Sequence, residues 1–383
     1  MSSVGLIAAK AAPTKRARAK RSTAASKLNA EIVIPALLGD HHWMNSTPRQ
    51  RLGLMLWPVP GLDAGFERGC WADAHGYDDL WLADAEGMED PIALAAALGV
   101  ATLRVRLCTG IVPVFNRPPA LLATSVVAAE ARAPGRFVLG LGASTPNMID
   151  RWYGLDYARP LTRVRETVAL LRQILAGGKS DFAGQTLRSH GFRLQALPSQ
   201  PVPIVLGAIG GKMLELAGEI ADGVVLNDFT PPDRLSYALE HLDAGAKRAG
   251  RRVEDLELIK RRALLVTDDD AAGLGYFRQH LAFYAAAAQY QNVLCELGYT
   301  AAVAETRAGY LNRDRKRINA AITDDIVRRI FGFGDEVHCR ALATQDFDAG
   351  INTLIISPQG GTAATFTRGA EAFLPAVFNR STS

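Results

Sequence analysis

From Leu52 to Ser357 the sequence repeats one unit: a short, nearly all-apolar run, a turn, and a longer stretch carrying helix signals. The runs are Leu52 to Trp57, Asp79 to Ala83, Val105 to Thr109, Phe137 to Leu141, Ile204 to Leu206, Gly223 to Leu226, Leu256 to Val266 and Ile351 to Ser357. The stretches between them start and stop for physical reasons. Asp63 to His75 reads as a helix stopped by Gly76. Asp90-Pro91 supplies an N-cap and then a proline, which the first helical turn tolerates, and opens a helix reaching Leu103. Pro118 to Ala133 is the next helix, halted by Pro134-Gly135. Short strands alternating with helices pair in parallel, so eight such units predict a (β/α)8 TIM barrel with insertions over residues 51–383. An open, doubly wound α/β sheet is the competing arrangement, and the lack of a GxGxxG after the first strand counts against it.

The alternation breaks in three places. Ser144 to Arg159 is a polar and aromatic excursion before an amphipathic helix from Leu161 to Leu175. Phe182 to Leu197 suggests a small hairpin outside the sheet, and Ala271 to Phe331 reads as one long, alanine-rich helical region. Residues 1–50 lack periodicity apart from the apolar run Ile32 to Leu38 and are predicted to be a basic, disordered extension. Met44 stands eight residues before the first strand, so an over-long choice of start codon is a second reading of that extension, and a targeting arm a third.

The formal charge of +4 misleads about partners. Residues 1–30 hold seven basic side chains, Lys10, Lys15, Arg16, Arg18, Lys20, Arg21 and Lys27, and no acid. Taking those seven from the 43 basic residues leaves 36 against 39 acidic ones, a net charge of −3 for the remainder. The predicted domain therefore lacks the basic footprint of a nucleic-acid binder. No apolar run approaches the roughly 20 residues needed to span a bilayer. Four cysteines without CxxC pairing fit a reduced, cytoplasmic setting.

Glycine marks three predicted strand ends: Thr109-Gly110-Ile111, Gly142-Ala143 and Gly207-Ala208-Ile209-Gly210-Gly211-Lys212. Ligand groups in barrels gather at the C-terminal ends of the strands, which makes these positions candidates. In the third, successive backbone N–H groups at a helix start favour a phosphate, while a plain steric turn is the competing explanation. It is not a Walker A loop, because Leu206 and Met213 stand where glycine and Ser or Thr are required. Asp84 ends the second strand and either accepts a ligand hydrogen bond or caps a turn. The histidines point nowhere. His41-His42 is an adjacent pair, His75 suits a helix C-terminus, and His190, His241, His280 and His338 fall on predicted helices or outer loops. Neither a metal site nor a Ser, His and Asp set is expected.

The runs Ile111-Val112-Pro113-Val114-Phe115-Asn116-Arg117-Pro118-Pro119, Gly135 to Gly142 and Gly207 to Ala217 resemble the bacterial luciferase-like superfamily. They are more similar still to its deazaflavin (coenzyme F420)-dependent oxidoreductases. The likeness extends from Leu52 to Leu374 and takes in Gly76 to Trp81, Arg163-Val164-Arg165-Glu166 and Ala221-Asp222-Gly223-Val224. It implies a barrel that holds coenzyme F420, or alternatively FMN, across its strand ends. By resemblance, a bulge with a non-proline cis peptide at Gly110-Ile111 backs the ring, Asp84, Thr109, Asn116, Gly142 and Ala143 lie near it, and Gly207, Ala208, Ile209, Gly210 and Gly211 hold the phosphate. Such a bond requires support from its surroundings.

The sugar-phosphate and alcohol dehydrogenases of that superfamily place a histidine base after the aspartate, whereas Ala85 follows Asp84 here. Glu86 is the remaining candidate for a proton role. The expected activity is hydride transfer between the deazaflavin and a small organic molecule, as a reductase. An FMNH2-dependent monooxygenase and a non-catalytic deazaflavin binder are the alternatives. The resemblance also implies a possible homodimer.

Overall fold

The computed structural model describes residues 50–57, 63–85 and 89–381. The extension predicted over residues 1–50 falls outside the described residues except for Gln50, and Glu86 falls outside them too.

Eight strands line up in chain order: β1 Arg51–Leu56, β2 Asp79–Leu82, β3 Arg106–Thr109, β4 Phe137–Gly142, β5 Ile204–Gly207, β6 Gly223–Leu226, β7 Glu257–Val266 and β8 Thr353–Pro358. All pair in parallel. β8 returns to β1 with Thr353 opposite Arg51, and β6 meets β7 with Gly223 opposite Glu257, so the sheet closes on itself. Closure rules out the open doubly wound sheet and leaves the (β/α)8 barrel. Two short segments extend it, Val112–Pro113 beside β4 and Gly332–Gly334 beside β7.

Helix boundaries follow the predicted signals. Asp90 caps the helix Pro91–Ala101 by accepting from Ile92 N at 2.9 Å and Ala93 N at 3.0 Å. Gly76 follows the helix Asp63–Ala74 at φ +90°, a conformation that glycine adopts at little cost. The hairpin outside the sheet pairs Asp181–Ala183 with Arg188–His190. Its turn is held by Glu166, which accepts from the N–H groups of Gln185, Thr186 and Leu187 at 2.6, 2.9 and 3.0 Å.

The helical region expected from Ala271 to Phe331 comprises five helices: Asp270–Ala285, Ala288–Glu296, Thr300–Leu311, Arg315–Ala321 and Asp324–Ile330. Gly298 at φ +94° and Arg313 at φ +55° turn the chain between them, and Asp314 caps the fourth by accepting from Arg317 N. Phe277 stacks on Phe331 at 4.6 Å beneath this insertion.

Side chains alternate in and out along each strand, so the barrel interior is layered. At the N-terminal end Arg106 grips Asp79 with Nε at 2.7 Å and Nη2 at 2.6 Å, and Nη2 also reaches Glu257 at 2.7 Å. Arg51 adds a 2.6 Å bond to Asp79. Burial pushes the Asp79 carboxyl up, but Arg106 and Arg51 together outweigh it and hold the group below the usual carboxylate range. Above lies an apolar plug of Met55, Trp81, Cys108, Val138, Val205, Ile259 and Ile355. The barrel is thus sealed from below, and only its C-terminal mouth offers room for chemistry.

Candidate active site at the barrel mouth

One half of the mouth is built from backbone. Leu107 and Cys108 of β3 pair with Phe137 and Val138, and pairing resumes with Val112 opposite Leu141. Three residues of one strand therefore face two of the other, which is a β-bulge at Thr109-Gly110-Ile111. The Gly110-Ile111 peptide within it is cis. Thr109 is fully buried and exchanges two bonds with Gly140, donating from Oγ1 to its carbonyl at 2.9 Å and accepting from its N–H at 2.8 Å.

The bulge lays the Ile111 side chain across Gly142 and Gly207. A Cβ at position 142 would fall 2.6 Å from Ile111 Cδ1, and one at position 207 would fall 3.4 Å from its Cγ1. These strand-end glycines, expected to let backbone approach a ligand, form a shelf that seats Ile111. The half-buried face of that isoleucine is what the mouth presents. Gly110 rests on Met55 and Trp81, each 3.3 Å from where its Cβ would lie.

Gly210 is a different kind of glycine. It caps the helix Gly211–Ile220 with φ −93° and ψ 154°, a backbone any residue adopts, and nothing lies within 4 Å of where its Cβ would be. Neither strain nor crowding demands glycine there. No side chain caps this helix, and among the described residues the N–H groups of Ile209, Gly210, Gly211 and Lys212 have no acceptor. Uncapped N–H groups at the positive end of a helix dipole attract anions. Arg234, itself buried, holds the loop from behind, donating to the Ile209 carbonyl at 3.3 Å and to Glu296 at 2.5 Å.

The other half of the mouth is built from side chains. Arg261 of β7 points inward and pairs with Asp228, which also accepts from Ala263 N at 2.5 Å. The Arg261 guanidinium lies 5.8 Å from the Trp57 ring centre, and Trp57 Nε1 donates to Ser357 Oγ at 2.7 Å. Its neighbours Lys260 and Arg262 point the opposite way, to Asp346. From the insertion His280 reaches in, 5.1 Å from the Tyr284 ring and stacked over Tyr276 at 6.0 Å. Burial lowers its pKa to about 4, nearby Arg261 adds to the effect and Asp228 opposes it, so the imidazole is neutral at pH 7.

The first half carries the sequence signature. A family profile described as luciferase-like monooxygenase matches residues 44–353. The chain belongs to that family. It is similar to the 5,10-methylenetetrahydromethanopterin reductase of Methanolobus tindarius, 30% identical over 292 residues that cover 76% of this chain and 88% of the reductase. The coenzyme F420-dependent tetrahydromethanopterin reductase of Methanopyrus kandleri superposes with a TM-score of 0.71 at 20% identity, covering 86% of this chain and 99% of that one. The FMN-bound oxygenating constituent of 3,6-diketocamphane monooxygenase from Pseudomonas putida reaches 0.63 at 18% identity, over 87% and 98%. These two solved structures share the fold.

Not all the candidate residues of this luciferase-like barrel lie together. Thr109, Gly110, Ile111, Gly142 and Gly207 share the shelf, with Ala143 at its edge and Ala208 to Gly211 on the adjoining strand end. Asp84 and Asn116 line a cleft of about 410 Å³ with Arg117, Leu121 and Tyr153. There Asp84 pairs with Arg117 at 2.6 Å, and burial still raises its pKa against that partner. Sequence reasoning missed Arg261, Asp228 and His280. The one available signal was Lys260-Arg261-Arg262, three consecutive cations in a strand whose other residues, Glu257 apart, are apolar.

Proposed function

We propose that this chain is a coenzyme F420-dependent oxidoreductase that moves a hydride between the deazaflavin and a small organic substrate, working as a reductase. The observation that carries this reading is the bare helix start at Gly210, whose open Cα and unpaired N–H groups suit a phosphate beside a flat, apolar ring seat at Ile111. The similarity to the reductase of Methanolobus tindarius supports the direction, and a 28% identical putative coenzyme F420-dependent oxidoreductase of Mycobacterium tuberculosis supports the cofactor class. When bound, the deazaflavin supplies the redox chemistry. Residues of the chain position it: Ile111 backs the ring, the N–H groups from Ile209 to Lys212 hold the phosphate, and Arg234 fixes the loop that presents them.

Titration of the purified protein with oxidised coenzyme F420, followed by its fluorescence, tests the reading directly. Saturation at micromolar cofactor is expected, and no change overturns it. The family description favours a second reading, a monooxygenase using reduced FMN, and oxygen uptake with that flavin distinguishes the two. Turnover of any substrate dismisses a purely binding role.

A further inference from the structure

The second half of the mouth has features that no phosphate-binding loop explains. Arg261 is the cation there, and its charge is already balanced by Asp228. Its Nε is buried and lacks a partner among the described residues. His280 makes no hydrogen bond through either ring nitrogen among the described residues, yet neither nitrogen is a buried, unsatisfied atom. The imidazole is instead held by ring contacts alone, with Tyr276 on one side, Tyr284 on another, and Phe277 and Phe331 behind at 6.1 and 5.5 Å. A ring fixed by stacking, with its polar atoms left free, is available to hydrogen-bond a ligand.

The charge balance limits which ligand fits. A carboxylate or phosphate would have to compete with Asp228 for Arg261 and would meet a neutral imidazole rather than a cation. A neutral oxygen acceptor asks only for an N–H. We infer that His280, with the Arg261–Asp228 pair behind it, holds the oxygen of a neutral carbonyl substrate opposite the Ile111 shelf. It would take the place of the base absent at Ala85 from the other side of the mouth. A neutral imidazole beside a polarised carbonyl is an established catalytic arrangement. In the balanced step the carbonyl carbon gains a hydride and its oxygen a proton, while the reduced deazaflavin loses both and leaves oxidised. His280 donates an N–H hydrogen bond to the oxygen as the electron pair moves onto it; the proton that ends on the oxygen is the one the deazaflavin releases, so the imidazole finishes the step neutral, as it began.

The inference rests on the proposed cofactor, so that cofactor's binding is read separately by fluorescence. The test uses the full chain with oxidised coenzyme F420 bound, 15N-labelled histidine, and cyclohex-2-enone or inorganic phosphate as probe. The expected result is a shift of the His280 ring 15N signals with the enone and none with phosphate. The His280 signals are assigned by their disappearance in His280→Gln. His280→Phe is expected to lower kcat/KM for the enone at least ~30-fold with the coenzyme Kd within threefold, and His280→Gln, which keeps an N–H, to recover part of the loss. Three outcomes overturn the inference while the cofactor reading stands: bound coenzyme with no enone-induced shift, a shift caused by phosphate instead, or equal losses of coenzyme affinity and turnover in His280→Phe. Failure of the coenzyme to bind removes both.

Discussion

The two halves of the barrel mouth solve the same problem with opposite materials. On β3, β4 and β5 the inward positions are Gly110, Gly142 and Gly207, and the surface is backbone overlaid by one isoleucine. On β6, β7, β8 and β1 the mouth carries Asp228, Arg261, Ser357 and Trp57, overhung by His280, and the surface is polar side chains. Backbone can be placed only by strand register and bulges, so the first half tolerates little change. Side chains can be exchanged without moving the barrel, so the second half is where a substrate preference can be altered. The proposed cofactor site falls on the half that is hard to change, and the proposed substrate contact on the half that is easy to change.

The largest test of that contrast is Gly140→Ala. A methyl at this position would sit 2.0 Å from the Thr109 carbonyl oxygen, backbone against backbone, in the residue whose hydroxyl closes two bonds on Gly140. Overpacking of this kind has no flexible side chain to relieve it. We expect a loss of about 3 kcal/mol or more in urea denaturation, or no soluble protein. A loss under about 1 kcal/mol would mean that the shelf is not defined by its backbone.

The same contrast explains what was legible in the sequence. The strands, the barrel and the glycine ends are local patterns: an apolar run, a stop signal and a glycine each announce themselves within a few residues. The side-chain half is not local. Trp57 and Ser357 bond across 300 residues, and His280 looks like any helical histidine until the insertion folds over the mouth. At Thr109 and Asp84, where the resemblance implies cofactor contacts, Gly140 engages the Thr109 hydroxyl and Arg117 the Asp84 carboxylate, partners that are distant in the sequence. The insertion reads as helical because alanine favours helix throughout, while the brief turns at Gly298 and Arg313 leave its division into five helices unread.

A test of intermediate size falls on the polar half. His280 has a folded pKa near 4 against an ordinary value of 6.5, with Arg261 and Asp228 the charged groups facing it and Tyr276 and Tyr284 the phenols. The unfolded chain takes up this proton first as pH falls. The stabilisation is therefore complete above pH 6.5 and declines as pH drops from 6.5 toward 4. The decline amounts to about 3 kcal/mol at most. Denaturation of wild type and His280→Gln at pH 7 and pH 4 should show the wild type losing more by up to that amount, and parallel losses would place the ring in water.

The smallest expected effect is the most diagnostic, because its two parts have opposite signs. Gly210 starts a helix that lacks a side-chain cap, and neither its backbone nor its surroundings require glycine. Serine is a better N-cap, so Gly210→Ser should leave stability unchanged or raise it by a few tenths of a kcal/mol. The serine oxygen reaches its stabilising position by accepting from the N–H groups that the proposed phosphate needs, and its Cβ enters the space that phosphate would occupy. Coenzyme F420 affinity should therefore fall about tenfold, roughly 1.4 kcal/mol, while the protein becomes no less stable. A turn built only for folding would gain stability from serine and leave affinity unchanged. Loss of affinity alone thus separates a glycine kept for a ligand from one kept for the chain, the distinction that Gly140 and Gly210 embody on the same side of one barrel.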